Sequence, residues 1–406
     1  MGSNGEGVGV ADGRTVFVEG ALPGERVTAE IFLSKKSYGK AKIVDVIESS
    51  KYRVTPVCPA FGKCGGCQIM HLSYDQQLVV KRQRVIDALE RIGHFSGVAV
   101  ESCLPSPQQL AYRNKVQLPV RNGHIGLYAR NTHTIIDIDK CFIHCERGEE
   151  VFSMIRRSLP SSARHILIKT AINTGQVLVI VVTSGAATPE LLRFASNLDV
   201  DGVVHNINDR NDNVILGREY HTLAGRGCID ETIGGLHFAV SPASFFQVNT
   251  LQMEHLYKKA MDLANLEKHS HVLDLYCGVG TLSLLTAQHV AMVTGIECVP
   301  QAINDAKDNA ERNGIDNCSF VCEQCGTGPL PTSDIVFLNP PRKGCDPHVL
   351  EKINAPRVVY ISCDPATLAR DLALLRSRYE ITTVQPFDMF PQTAHVETVV
   401  SLMSLA

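Results

Sequence analysis

Apolar and polar positions change rhythm several times along the chain. Between residues 8 and 48 the apolar residues come in short runs: Thr15-Val-Phe-Val18, Arg26-Val-Thr-Ala-Glu-Ile-Phe32 and the alternating Lys42-Ile-Val-Asp-Val-Ile47. Leu22-Pro-Gly-Glu25 is a turn signal between them. Short strands at this spacing predict a small OB-like barrel. From 74 to 92 the period lengthens: Leu78, Val85, Ile86, Leu89 and Ile92 are apolar among Lys, Arg and Gln. This predicts one helix, ended by Gly93. From about 112 to 240 strand-like runs dominate, at 115–120, 125–128, 166–170 and 177–183, until Ser241-Pro-Ala-Ser244 breaks the pattern. Beyond it, a helical stretch at 248–263 is followed by alternating strand-like and helix-like runs: 271–275, 282–290, 292–297, 301–313, 334–338, 358–362 and 366–376. That βαβ rhythm predicts a doubly wound α/β sheet with a ligand at the carboxyl ends of its strands. Three units follow: 1–50, a barrel; 51–243, a central α+β domain, with helix 74–92 free to pack on the third unit; and 244–406, the doubly wound domain.

Composition narrows the class. The 406 residues are 44% hydrophobic and 20% charged, which excludes a wholly disordered, collagen-like or coiled-coil chain. No run of 18 apolar residues occurs, so no membrane span is expected. The Gly-rich start lacks the apolar stretch of a signal peptide, and a cytoplasmic monomer is the expectation. Net charge −3 makes no global case for a polyanion, but ten Lys and Arg face three acids between Lys35 and Arg84. Lys35, Lys36, Tyr38, Lys40 and Lys42 together resemble a surface that tracks a phosphate backbone and stacks a base. A solvated face is the plain alternative.

The chemistry concentrates at strand ends. Val272-Leu-Asp-Leu-Tyr-Cys-Gly-Val-Gly280 is a buried strand entering a glycine turn before a helix. Gly278 lets a ligand approach the backbone. Asp274 would repel a phosphate and suits an ammonium group, while Glu297, about 20 residues on, suits ribose hydroxyls. Ribose and a cationic amino-acid end together describe S-adenosylmethionine. The next strand ends in Asn339-Pro-Pro-Arg-Lys-Gly344, where the prolines fix Asn339 at the mouth of the site. Cys363 ends another apolar strand, beside a helix N-terminus that can depress a thiol pKa. A thiol beside a methyl donor suits uracil: addition to C6 makes C5 nucleophilic, and a base then removes the C5 proton. Glu397 is the candidate base, and His395 its competitor.

These residues carry a resemblance. Ser244-Phe-Phe-Gln-Val-Asn249, Asp274-Leu-Tyr-Cys-Gly278, Asn339-Pro-Pro-Arg342, Ser362-Cys-Asp-Pro-Ala-Thr-Leu368 and His395-Val-Glu397 occur in the order found in the RNA uracil-5-methyltransferase family. Within it the chain resembles the bacterial 23S ribosomal RNA branch, which has a TRAM domain and an iron–sulfur cluster. The resemblance implies Cys363 as nucleophile and Glu397 as base. It implies S-adenosylmethionine contacts from Gln247, Tyr276, Glu297 and Asn339, target-base stacking by Phe245, and an RNA contact by Arg113. Many members have Asp at the position of Asn339 and Asn at that of Asp364. Transfer-RNA methylation and an inactive RNA-binding scaffold are the alternatives.

Fourteen cysteines are many for a chain without an export signal. Cys58, Cys64 and Cys67 lie within ten residues, and the spacing fits zinc or iron–sulfur. The resemblance implies a [4Fe–4S] cluster with Cys141 as fourth ligand, and Cys145 is the alternative. Cys318, Cys322 and Cys325 are expected to be packing or surface thiols.

Overall fold

The computed structural model describes residues 1–405. The chain opens with β1 (Gly7–Ala11), β2 (Arg14–Glu19), β3 (Arg26–Ser34) and β4 (Tyr38–Glu48), which form one sheet in the order β1-β2-β4-β3. Alternation in β2 turns Val16 and Val18 inward against Ala41. The register sets Phe17 beside Lys40, Thr15 beside Tyr38 and Glu19 beside Lys42. The opposite face is therefore aromatic and charged. Three register shifts along β3 and β4 bend that edge.

Helix α1 (Tyr74–Arg91) follows. The second sheet contains β5 (Lys115–Arg121), β6 (His124–Tyr128), β7 (Ile135–Asp137), β8 (His165–Thr170), β9 (Val177–Thr183), β10 (Gly202–Ile207) and β11 (Glu219–Gly225), in the order β11-β10-β9-β8-β5-β6-β7. Helices α2 (Glu146–Arg157) and α3 (Pro189–Asn197) pack their apolar stripes on it. Every residue of β9 is buried, which is why its sequence runs apolar without alternation.

A hairpin, β12 (Ile229–Ile233) and β13 (Leu236–Val240), leads into α4 (Thr250–Ala264). The third sheet is built from β14 (His271–Leu275), α5 (Thr281–Ala287), β15 (Met292–Glu297), α6 (Pro300–Arg312), β16 (Cys318–Cys322), β17 (Ile335–Leu338), α7 (Pro347–Lys352), β18 (Arg357–Ser362), α8 (Pro365–Leu375), β19 (Tyr379–Phe387) and β20 (Glu397–Ser404). Its order is β16-β15-β14-β17-β18-β20-β19. The strands from β16 to β18 run parallel, while β20 is antiparallel to both β18 and β19. Strand order reverses between β14 and β17, which opens the crevice where such sheets bind ligands.

Two segments of the stretch 51–243 share cores with this third sheet. Val85, Ala88 and Leu89 of α1 pack with Leu368, Leu372 and Leu375 of α8. Ile233, Leu236 and Phe238 of the hairpin pack with Met253 and Leu256 of α4 and Val272 of β14. The first of these contacts matters most for the site, because α1 also grips the segment between β19 and β20. Gln77 is hydrogen-bonded to Gln392 through both its amide groups, and Lys81 forms an ion pair with Asp388.

Candidate active site

The turn after β14 runs through left-handed backbone. Tyr276 has φ +66°, Gly278 +56° and Gly280 +77°. A non-glycine residue there is uncommon and marks a constrained turn. Open space lies where a side chain at Gly278 would project, whereas at Gly280 a Cβ would meet Phe320 at 2.8 Å. The first glycine leaves room for a ligand, and the second allows α5 to pack. Glu297 closes β15 with one carboxylate oxygen accepting from the Cys298 and Val299 amides, at 2.7 and 2.9 Å. Asn339 follows β17, and its amide donates to the Leu275 carbonyl. Tyr276, Gly278, Glu297 and Asn339 thus gather at the carboxyl ends of three adjacent strands.

Asp274 differs from the expectation of an open ammonium partner. It is 1% exposed and accepts a hydrogen bond from Ser283 Oγ at 2.5 Å, which ties β14 to α5 beneath the turn. Burial pushes its carboxyl up to about 7, with Ser283 opposing and the Glu297 charge adding.

The thiol and the carboxylate come together through strand pairing. Ser362 of β18 lies opposite Thr398 of β20, and the antiparallel register therefore brings Cys363 up to Glu397. The two are close enough for the Glu397 charge to be felt at the thiol. Burial pushes Glu397 up to about 8, against the pull of Arg342. Cys363 is half-buried, and burial followed by the Glu397 charge pushes its thiol up to about 11. That reverses the depressed thiol expected from its place before a helix. The N-terminal donors of α8 are already taken, because Asp364 accepts from the Ala366 and Thr367 amides at 2.8 and 3.1 Å. His395 is half-buried and pushed down to about 4 by burial and the Arg342, Arg84 and Lys81 charges. It is a neutral imidazole at physiological pH.

Several buried polar residues that hold the site went unremarked in the sequence. Asp371 of α8 accepts from Tyr360 Oη at 2.6 Å and from the Cys345 amide at 2.8 Å, which anchors the loop carrying Asn339 and Arg342. Tyr257 of α4 is buried and lies near Gln247, Asp274 and Glu397. Lys169 of β8 donates to the carbonyls of Ser241 and Ser244 at 2.7 and 2.9 Å, and Asn114 donates to the Gln247 carbonyl at 2.8 Å. The central sheet thereby fixes the loop from which Phe245 projects, 70% exposed. The only signal in the sequence is a charged residue inside an apolar strand, Lys169 in His165–Thr170.

The other candidates lie elsewhere. Arg113 donates to the Lys115 carbonyl and sits by Cys67. Lys35 and Lys36 are exposed in the turn between β3 and β4, and Lys40 is half-buried on the charged sheet face. Cys58, Cys67 and Cys141 pack around Tyr112, Met70 and Ile143, and Cys64 is within electrostatic reach of all three thiols. Burial pushes Cys141 up to about 11. Cys145 is apart from them, buried at the N-terminus of α2. All four grouped thiols are free of disulfides. Among the described residues, no three His, Cys, Asp or Glu side chains converge in the way a metal ion's ligands would. No described helix is long and apolar enough to cross a membrane.

Comparison with known proteins agrees with this geometry. Residues 213–324 and 332–405 match the family described as tRNA (Uracil-5-)-methyltransferase, and residues 1–44 match the TRAM domain. An uncharacterized RNA methyltransferase of Clostridium acetobutylicum is 40% identical, over 98% of this chain and 94% of its own. One from Listeria innocua is 41% identical, over 98% and 95%. The crystal structure of the Pyrococcus abyssi tRNA (uracil-54, C5)-methyltransferase in complex with S-adenosyl-L-homocysteine superposes with a TM-score of 0.80, at 29% identity and 98% coverage of each chain. With relatives about 40% identical over 98% of its length, this chain belongs to the S-adenosylmethionine-dependent RNA uracil-5-methyltransferase family.

Proposed function

We propose that this enzyme methylates C5 of uridine in 23S ribosomal RNA, through covalent addition by Cys363 and proton removal by Glu397. The observation that carries the reading is the juxtaposition of those two side chains across β18 and β20. The Cys363 sulfur adds to C6, and the C5–C6 π electrons shift toward the ring carbonyl. S-adenosylmethionine, when bound, supplies the methyl group that C5 takes. Glu397 accepts the C5 proton, the C6–S bond breaks and its electrons return to sulfur. Glu297 and Asn339 would hold the nucleoside end, Gln247 and Tyr276 would border it, and Phe245 would stack on a flipped uracil. Asp274 supports that cleft from below through Ser283.

Cys58, Cys64, Cys67 and Cys141 fit a [4Fe–4S] cluster. They are four grouped, half-buried thiols free of disulfides, one for each iron. A cluster spreads its thiolates wider than the cage around one zinc ion, whose bonds to sulfur are about 2.3 Å. The chemistry above uses no electron transfer, so the cluster's part would be to brace the 58–67 loop against Cys141.

Transfer RNA is the second reading. It is favoured by the Pyrococcus enzyme, which is named for tRNA and aligns with 98% of this chain, the first sheet included. Nucleoside mass spectrometry after incubation with S-adenosylmethionine decides between them. Under our reading 5-methyluridine forms in unmodified 23S RNA and not in matched transfer RNA. The converse overturns the substrate, and no product in either overturns the reaction.

Two further results are expected. First, kcat should fall about tenfold per unit as pH drops below about 8, because protonated Glu397 cannot accept the C5 proton. A flat profile from pH 6 to 8 would remove Glu397 as the base. Folding stability should run the other way. The raised carboxyl favours the fold fully below the ordinary carboxylate range, and that contribution is lost as pH rises through about 8. Second, Lys169→Met should free the Ser241 and Ser244 carbonyls and loosen the Phe245–Gln247 loop. About a tenfold rise in KM with kcat within a few-fold of normal is expected. Loss confined to kcat would contradict a positioning role.

A further inference from the structure

A cavity of about 420 Å³ lies between the first sheet, the N-terminal segment, the 64–68 loop and the turn between β6 and β7, and it reaches His395. Some of its polar lining is already committed. Arg130 donates to the Asn4 carbonyl and lies 3.8 Å from the Glu6 carboxylate. Gln68 donates to the Gly65 carbonyl and accepts from the Ala394 amide. The rest is not. Among the described residues the side chains of Lys40, Glu19, Asn131 and His395 have no hydrogen-bond or ion-pair partner. The cavity thus presents an ammonium, a carboxylate, an amide and a neutral imidazole together, with enough room for a small polar ligand.

Its place says which ligand. His395 is two residues before Glu397, and both His395 and Cys363 lie within reach of the Arg342 and Asp364 charges. An RNA whose target base occupies the Cys363 site therefore carries its neighbouring nucleotides past the mouth of this cavity. Unpaired RNA is read by bases splayed into such recesses. The charges are ordered for a nucleotide, since Lys40 suits a phosphate and Glu19 can accept from an exocyclic amino group. Uracil lacks that group.

We propose that this cavity is a second nucleotide site, taking an RNA base with an exocyclic amino group that lies near the target uridine in the chain. The proposal rests on RNA being the substrate but not on the covalent mechanism. The test uses adenosine, guanosine, cytidine and uridine 5′-monophosphates with the full-length protein saturated with S-adenosylhomocysteine, read by ligand-observed NMR titration. At least one amino-bearing nucleotide should bind saturably in the millimolar range, at least about fivefold more tightly than uridine monophosphate. Lys40→Gln and Glu19→Gln should each weaken it about tenfold, and Phe245→Ala should leave it unchanged. The site is refuted if no nucleotide saturates by about 20 mM, if uridine monophosphate binds as well as the others, or if Phe245→Ala alone abolishes binding. Binding is read without methyl transfer, so failure of the Cys363 mechanism would leave this result standing.

Discussion

Cys363→Ala should abolish 5-methyluridine formation, by at least roughly 10⁴-fold, while S-adenosylhomocysteine binding stays within a few-fold of normal. The magnitude follows from the chemistry: without sulfur addition, C5 of uracil has no electron density to offer a methyl group. The structure sets how the thiol meets that demand. Its acidity is pushed down by burial and by the Glu397 charge, and Arg342 is the group that pulls the other way. Arg342 is exposed in the resting chain, on a loop anchored by Asp371. Arg342→Gln should therefore slow the reaction in a way that higher pH partly restores, which Cys363→Ala cannot show. Glu397→Gln separates the two halves of the cycle. Sulfur addition and methyl transfer survive, the C5 proton stays, and a denaturation-resistant protein–RNA adduct should build up on gels. If Cys363→Ala keeps more than a few per cent of the activity, covalent addition is wrong and the pair has another use.

The same residues show what could be read from the sequence. Strands β14, β15, β17 and β18 are legible because each is a short apolar run ending in a motif, and parallel strands in mid-sheet need no alternation to be recognised, whereas β16 and β19 carry no such run. Cys363, Glu297 and Asn339 stand out as candidates because they end or follow those runs, whereas Glu397 begins a strand and is singled out by the family resemblance. Their electrostatics were not legible. A helix N-terminus suggested an acidic thiol at Cys363, but Asp364 consumes its donors and a carboxylate from β20, more than 30 residues on, raises the pKa instead. Asp274 was read as facing a ligand, and only the packing of α5 shows that Ser283 holds it. The choice between Cys141 and Cys145 was open on spacing. In the fold Cys145 sits at the start of α2, while Cys141 packs beside Cys58 and Cys67. Helix 74–92 was found by its period, but periodicity names an apolar face and not its partner. α8, nearly 280 residues later, is that partner.

Lys81 is where that partnership bears on function. It lies among Lys, Arg and Gln in the helical pattern, where a charge ordinarily marks the solvent side. In the fold its side chain is wholly buried, paired with an equally buried Asp388 and donating to the Phe390 carbonyl at 3.0 Å. Lys81→Met keeps the length of the side chain and strands the Asp388 carboxylate. A cost of about 3–5 kcal/mol is expected, read as a lower denaturation midpoint with an unchanged m-value. Replacing both partners should recover much of it, because Lys81→Met with Asp388→Leu buries no unpaired charge. Activity should not recover in parallel. The segment 388–395 runs from this pair into Glu397, and without Lys81 the Phe390 carbonyl keeps only the donors of Thr393 within its own turn. A double variant that is stable, binds S-adenosylhomocysteine and still methylates slowly would show that α1 sets the approach of Glu397. A double variant as active as the parent would reduce the ion pair to a matter of stability alone.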